Sequence, residues 1–425
     1  MKERILFDLD NYPRISSARI QSYLENFSRI GVRWNNTRGE KLAQQFIVDG
    51  FERNGMDNVS AEEFKYLSYK PISSRLDLRS PKSKSIACEP LQNTSNGVAE
   101  GPIVYAGTGT KQEFENLDKD GVDFESKIAM ARTATPFWAY SEAEKRHASG
   151  VIIITDPPEN LLRRCTGRLA HPPLDGNLER YVGSIPGVII SQKDGEEILS
   201  LLSWNKVEAS LEQRGDYSIE STVNIVGETE GSEYPDEIVV VGAHYDTQLA
   251  GGVWDNATGI AGLLEFSKAF RKPIPKRTIR YIAFNCEEIG LWGSTNYVNA
   301  HRNDRFRYMC NLDAVSTSLG SVNDIWATPE IKDYALEAAR ILGWPVGNTV
   351  DLTTPFREFS DMCSFVEAGV PATWIWETSV TSIHPYYHTE RDVIDFIDLG
   401  KLTRTLDVSG LLTHTMANES NLSMP

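Results

Sequence analysis

No window of this 425-residue chain approaches the run of about 20 apolar residues that a helical membrane span needs, so no membrane association is expected. Basic excess is also lacking: 43 lysines and arginines face 59 aspartates and glutamates, a net charge of −16. A chain of that sign does not neutralise a phosphate backbone, and no nucleic-acid partner is expected, although a local basic pocket remains compatible with it. Cysteine is scarce. Cys88, Cys165, Cys286, Cys310 and Cys363 stand singly, an odd set without a CxxC pair. That pattern argues against a disulfide framework and against a structural zinc site. The opening "MKERILFDLDNYPRISS" has no basic stretch leading into an apolar one, so no signal peptide is read and a cytoplasmic setting is expected.

What is present is ordinary globular material, 40% hydrophobic and 24% charged, enough to core two or three domains. Apolar residues at three- and four-residue spacing predict helices within 17–55, in "ARIQSYLENFSRIG" and "GEKLAQQFIVDGFERNGM". The stretch "YKPISSRLDLRSPKSKS" is rich in turn residues and reads as a boundary. From about 86 to 215, short β-like runs such as "GPIVYAG" and "GVIIITD" alternate with short helical pieces, which suggests a separate small α/β module. From about 219, longer strand and helix patterns alternate, and "EIVVVGA" reads as a strand buried on both faces. The division expected is 1–75 as the helical start of the main domain, 76–218 as an insertion, and 219–425 as the rest of the main domain.

Sites in open α/β sheets form beyond the carboxyl ends of the strands. In that position stand His244 and Asp246 after "IVVVGA", Glu287 and Glu288 after "YIAFNC", Asp313 after "YMCNL", and His388 and Asp392 beyond "ATWIWE". Asp255 sits in a glycine-rich loop ahead of a helix. Taken singly, each has a plain structural explanation: a helix cap, a solvated acid pair or a satisfied histidine. Clustered at buried strand ends, these carboxylates would repel one another and lose hydration, a penalty that divalent cations remove. Imidazole with carboxylate suits zinc, with manganese or cobalt as alternatives. Two ions sharing one aspartate match this inventory. Asp246 would then orient His244, and one glutamate of the adjacent pair would be left to act as general base.

In order, "AHYD", "GGVWDNATGIAGLLE", "RTIRYIAFNCEEIGLWGSTNYV", "NLDAVS", "FSDMCSFVEAGVPA" and "YYHTERDVIDFID" resemble the dinuclear zinc aminopeptidase and glutamate carboxypeptidase family. The middle module, with "GPIVYAGTGTKQEF", "SKIAMAR", "ASGVIIITDP" and "IPGVIISQKDGEEIL", resembles a protease-associated domain. The resemblance implies an α/β fold, a mixed central sheet with helices on both faces, carrying a smaller inserted α/β domain. It also implies two divalent metal ions. Asp255 would bridge them, His244 and Asp313 would hold one, Glu288 and His388 the other, and Glu287 would be the general base.

The chain departs from the family pattern at Met362, where many members carry histidine or an aromatic residue, and at Trp254, directly before the bridging aspartate. Met362 either packs or alters substrate contacts. Trp254 is either a core filler or the wall of a narrow pocket. Arg163, Arg164 and Arg168 in the insert and Arg357 in "TPFREFSD" are candidate clamps for a substrate carboxylate. Tyr387 and His384 are further candidate substrate contacts. The reading that follows is a hydrolase of short peptides, an aminopeptidase first. A second is an aminohydrolase that releases ammonia from a small aromatic amine bearing a carboxylate, of the 5-nitroanthranilate type. A third is an inactive binding protein that keeps the fold. Self-association into a homo-oligomer is left open.

Overall fold

A computed structural model describes residues 7–158, 160–172, 180–320, 322–352, 360–378 and 385–419. Of the expected substrate contacts, Arg357 and His384 lie outside these residues. The chain divides into two compact units. The first comprises 1–64, 221–384 and 392–425, and the second 65–220 and 385–391. These limits stand beside the expected ones at 75/76 and 218/219, and they group the short stretch around His388 with the second unit.

In the first unit, helix Ser17–Ser28 begins where the Ser16 side chain accepts the Arg19 amide, and it buries Ile20, Leu24 and Phe27 along one stripe. Helix Arg38–Asn54 is capped by Thr37 in the same way, buries Ala43, Ile47 and Phe51, and stops at left-handed Gly55. The sheet runs in the order Val346–Asp351, Val322–Ala327, Ala372–Thr378, Arg305–Asn311, Tyr234–His244 and Arg277–Phe284, then the end of Glu208–Thr229. Four consecutive members, from Ala372–Thr378 to Arg277–Phe284, are parallel. The strands Val322–Ala327 and Glu208–Thr229 join this group antiparallel, which makes the sheet mixed.

The strand Tyr234–His244 shows why the sheet needs cover on both faces. Val239, Val241 and Ala243 belong to one apolar cluster, with Leu263, Leu264, Leu406 and Leu411 from helices Thr258–Ala269 and Leu399–Asn418. Ile238 and Val240 belong to another, with Val298 from helix Trp292–Ala300 and Phe365 from helix Met362–Glu367. Side chains alternate across a strand, so a continuous apolar run serves two cores.

The second unit has its own sheet. Gly97–Tyr105, Ile128–Arg132, Gly150–Ile154 and Gly187–Ile190 run parallel in that order. Cys88–Pro90 and the start of Glu208–Thr229 close the two edges antiparallel. Two apolar clusters again lie on its two faces, around Ile152 and around Ile153. The turn-rich stretch expected at a boundary is instead the end of a long strand, Asp57–Ser80. Leu76 and Leu78 are buried there, and Leu76 pairs with Ile86, so period-two burial overrides the serines and the proline. Among the described residues, no helix is long and apolar enough to cross a membrane.

Candidate metal centre

The parallel strands bring their carboxyl ends level. His244 is in register with Phe284, and Gly242 with both Ile282 and Asn311. The loops that follow therefore start from one edge of the first unit. Two of the site segments turn through left-handed backbone at residues that have a Cβ: Cys286 just before Glu287, and Ala314 just after Asp313. Such conformations concentrate at functional sites, because the surrounding structure must hold them in place.

At this edge Asp246, Asp255, Glu288, Asp313, Asp361 and Asp392 are all buried, as is His244. His244 Nε2 lies 3.0 Å from Asp255 Oδ1 and 3.4 Å from Asp313 Oδ1. His244, Asp255 and Glu288 each offer a ligand atom within 4.8 Å of the others. The donor set, an imidazole nitrogen among buried carboxylate oxygens, fits a divalent cation.

Each donor is held by a neighbour. Ser360 donates to Asp313 Oδ2 at 2.6 Å, and Trp374 Nε1 donates to the Asp313 carbonyl at 2.8 Å. Gln248 donates to Glu288 through its backbone at 3.1 Å and its amide at 3.2 Å. Asp392 accepts the amides of Trp254 at 2.8 Å and Asp255 at 3.1 Å. Asn256, joined to Asp255 by a cis peptide, donates to the Leu312 carbonyl and accepts from Gly259 and Ala314. It thus sews the Asp255 turn to the Asp313 loop.

Asp246 does more than expected. Its Oδ1 lies 3.5 Å from His244 Nδ1, a long separation for a hydrogen bond. Its firmer contacts are the backbone amides of Glu287 and Glu288, at 3.2 and 3.3 Å. Glu287 is not one of the three clustered donors. Burial pushes its carboxyl well above the usual carboxylate range, Asp313, Glu288 and Asp361 add to that, and His244 opposes it. Burial likewise raises Asp361 to about 7, with Asp246 and Asp313 adding and His244 and Ser294 opposing.

Residues 224–413 match the family model described as peptidase family M28. That stretch carries His244, Asp255, Glu287, Glu288 and Asp313. The chain is a metal-dependent peptide hydrolase. It is 28% identical over 397 residues to aminopeptidase YwaD of Bacillus subtilis (strain 168), covering 89% of this chain and 80% of that protein. To a probable glutamate carboxypeptidase of Arthroderma benhamiae it is 29% identical over 405 residues, covering 73% of this chain and 55% of the other, about half that protein's length. The solved structure of a zinc aminopeptidase from Bacillus subtilis aligns with a TM-score of 0.68 at 24% identity, over 96% of each chain. At that identity the likeness speaks to the fold. The aminohydrolase reading finds no support among these relatives.

Of the arginines expected to clamp a substrate carboxylate, the three among the described residues, Arg163, Arg164 and Arg168, are engaged elsewhere. Arg163 is buried, pairs with Asp156 at 2.7 Å, donates to the Tyr387 carbonyl at 3.1 Å and lies over the Tyr387 ring. Arg164 makes two bonds to Glu89, and Arg168 pairs with Glu144. The Arg164 amide donates to the His388 carbonyl at 3.0 Å, and His388 Nδ1 donates back to the Arg164 carbonyl at 3.1 Å. With Nδ1 so used, Nε2 is the ring nitrogen suited to a metal.

The two departures from the family pattern are both packed. Met362 is fully buried, with Asn311 Nδ2 at 3.5 Å from its sulfur. Trp254 is 3% exposed and stacks on Trp376, which stacks on Trp374. It is a core residue, not an open pocket wall. Sequence reasoning missed Asn256, Gln248 and Ser360 as holders of the donors. Their signal was only adjacency to the motifs, which does not separate them from their neighbours.

Proposed function

We propose that this peptidase is an aminopeptidase of short peptides, with Glu287 as its general base. The observation that carries the reading is the cluster of His244, Asp255 and Glu288 donors, beside which Glu287 stands apart as an adjacent carboxyl. Bound divalent ions, zinc foremost by analogy with the zinc aminopeptidase it resembles, would supply a nucleophilic water near neutral pH and polarise the scissile carbonyl. Glu287 takes a proton from the attacking water and hands it to the leaving amine. Asp246 keeps Glu287 in place through its backbone amide, and Asp392 keeps Asp255 in place in the same way.

Charge favours an amino terminus as the recognised end. The described site is rich in buried carboxylates, and Arg163, Arg164 and Arg168 are already answered by acids of their own unit. A substrate α-ammonium is complementary to those carboxylates that the metal ions leave uncompensated, while these three arginines already have acidic partners of their own. The shared role of Asp255 and the assignment of Asp313 and His388 to separate ions rest on the sequence resemblance. We infer on the same ground that the second unit is a protease-associated module.

The test is a comparison of aminoacyl-anilides and dipeptides with their N-acetylated forms, after loading with zinc. The free amino forms are expected to be cleaved and the blocked ones spared. Equal cleavage of both would overturn the aminopeptidase reading.

A further inference from the structure

Arg33 is 1% exposed, and a buried guanidinium persists only where its donors and its charge are both answered. Its Nε donates to the Tyr245 carbonyl at 2.7 Å, its Nη2 to the Gly252 carbonyl at 2.7 Å, and its Nη1 to the Gly31 carbonyl at 3.1 Å. The Arg33 backbone amide donates to Thr247 Oγ1 at 2.9 Å, and the guanidinium lies 4.7 Å over the Phe27 ring. Each guanidinium bond ends on a carbonyl, and two of these carbonyls mark the ends of one loop. Tyr245 directly follows His244, and Gly252 comes three residues before Asp255. Burial pulls the guanidinium down to about 10, against which Asp392, Asp246, Asp255 and Glu288 all hold the proton on. The positive charge of Arg33 therefore faces the acids of the metal centre without bonding any of them directly.

We propose that Arg33 is a positioning residue for the metal centre: its planar fork staples the two ends of loop 245–252, and its charge offsets the carboxylates before any cation arrives. The inference rests on the metal reading given above. Two properties of arginine are needed together. A fork with several donors can reach two carbonyls at once, and its charge persists when buried. Methionine keeps an unbranched apolar stem and loses both properties. Lysine keeps the charge and loses the fork.

The experiment measures zinc affinity by competition with a chromophoric chelator, on the full chain stripped of metal, with folding checked by circular dichroism. Arg33→Met is expected to bind zinc about 10- to 100-fold more weakly than the wild type, the usual effect of removing a residue that supports metal ligands. The control is Arg277→Met. Arg277 is equally deeply buried and bonded to Glu237 and to the Met416 carbonyl, but it begins the strand whose far end leads to Glu287. Its loss should lower stability and leave zinc affinity unchanged. Where Arg33→Met folds poorly, Arg33→Lys carries the test, and its zinc affinity should also fall. Wild-type affinity in a folded Arg33 variant, or an equal drop in Arg277→Met, would overturn the proposal. A wild-type chain that takes up no zinc would instead overturn the metal reading itself.

Discussion

Asp246 Oδ1 accepts the backbone amide of Glu287 at 3.2 Å. One buried carboxylate thus fixes the backbone of the residue assigned as general base, from a loop 41 positions earlier in the chain. If Glu287 moves the proton, Glu287→Gln should lower turnover by about 10²–10⁴-fold, the usual share of general acid–base catalysis. Metal content by elemental analysis should stay at the wild-type level. A variant that keeps its activity on aminoacyl-anilides would show that the base is another group.

His244 tests the centre itself. Its Nε2 lies within 3.4 Å of both Asp255 and Asp313. His244→Ala removes the one imidazole of that trio, and metal should be lost on dialysis. Stoichiometric metal retained by this variant would remove His244 from the ligand set.

Glu40 is a buried acid far from the metal centre in sequence. It accepts the Asn36 amide at 2.8 Å, Asn285 Nδ2 at 2.8 Å, and the Thr222 hydroxyl. Asn285 lies two residues before Glu287, so the network links helix Arg38–Asn54 to the base loop. Glu40→Ala leaves several buried donors without an acceptor, each worth about 1–3 kcal/mol. A destabilisation of at least about 2 kcal/mol is expected in urea unfolding. A shift too small to resolve would mean that water replaces the carboxylate.

Gly259 sits where the Asp255 turn meets the Asp313 loop. A Cβ there would lie 2.1 Å from the Leu312 carbonyl oxygen and 2.4 Å from Asn256 Oδ1. Because the first of these is backbone, Gly259→Ala must displace a loop that carries a donor. Both melting temperature and zinc affinity should fall. Wild-type values for both would show that the two loops separate without cost.

His301 supplies a pH signature away from the metal centre. Its ring lies 2.8 Å from Glu62 and 3.1 Å from Asp304, and the hydrogen bond to Glu62 leads the effects that raise its pKa. A histidine raised on folding adds stability that is full below its unfolded pKa, about 6.5, and is lost as pH rises through the folded value. The urea midpoint should therefore fall as pH rises above about 6.5, with part of that fall missing in His301→Gln. Identical profiles for the two proteins would count against the ion pair.

Much of the centre could be read from the sequence because parallel strands carry two legible signals. "EIVVVGA" announces a strand buried on both faces, and the polar residue after such a run lies at the sheet edge. That logic reaches His244, Asp246, Glu287, Glu288 and Asp313 without knowing which strands are neighbours. It does not reach Arg33 or Glu40. Each lies in or beside a helical pattern whose polar positions look alike, and their partners are 212 and 245 residues away for Tyr245 and Asn285. Trp254 resisted for another reason. Only the stacking on Trp376 separates a core residue from a pocket wall, and stacking leaves no trace in spacing. The strand Asp57–Ser80 was hidden because its serines and proline mimic a turn.

The first unit is assembled from three separate lengths of chain, and this sets a timetable for its making. Gly252, the far carbonyl held by Arg33, is 219 residues downstream of it. At the usual 5–20 residues per second of synthesis, the arginine waits about 10–40 s for that partner. Asp392, which braces Asp255, emerges later still. A nascent chain halted before these segments would carry Arg33 and Glu40 as ordinary hydrated charges, and the Asp255 turn would gain its brace only once Asp392 has been made.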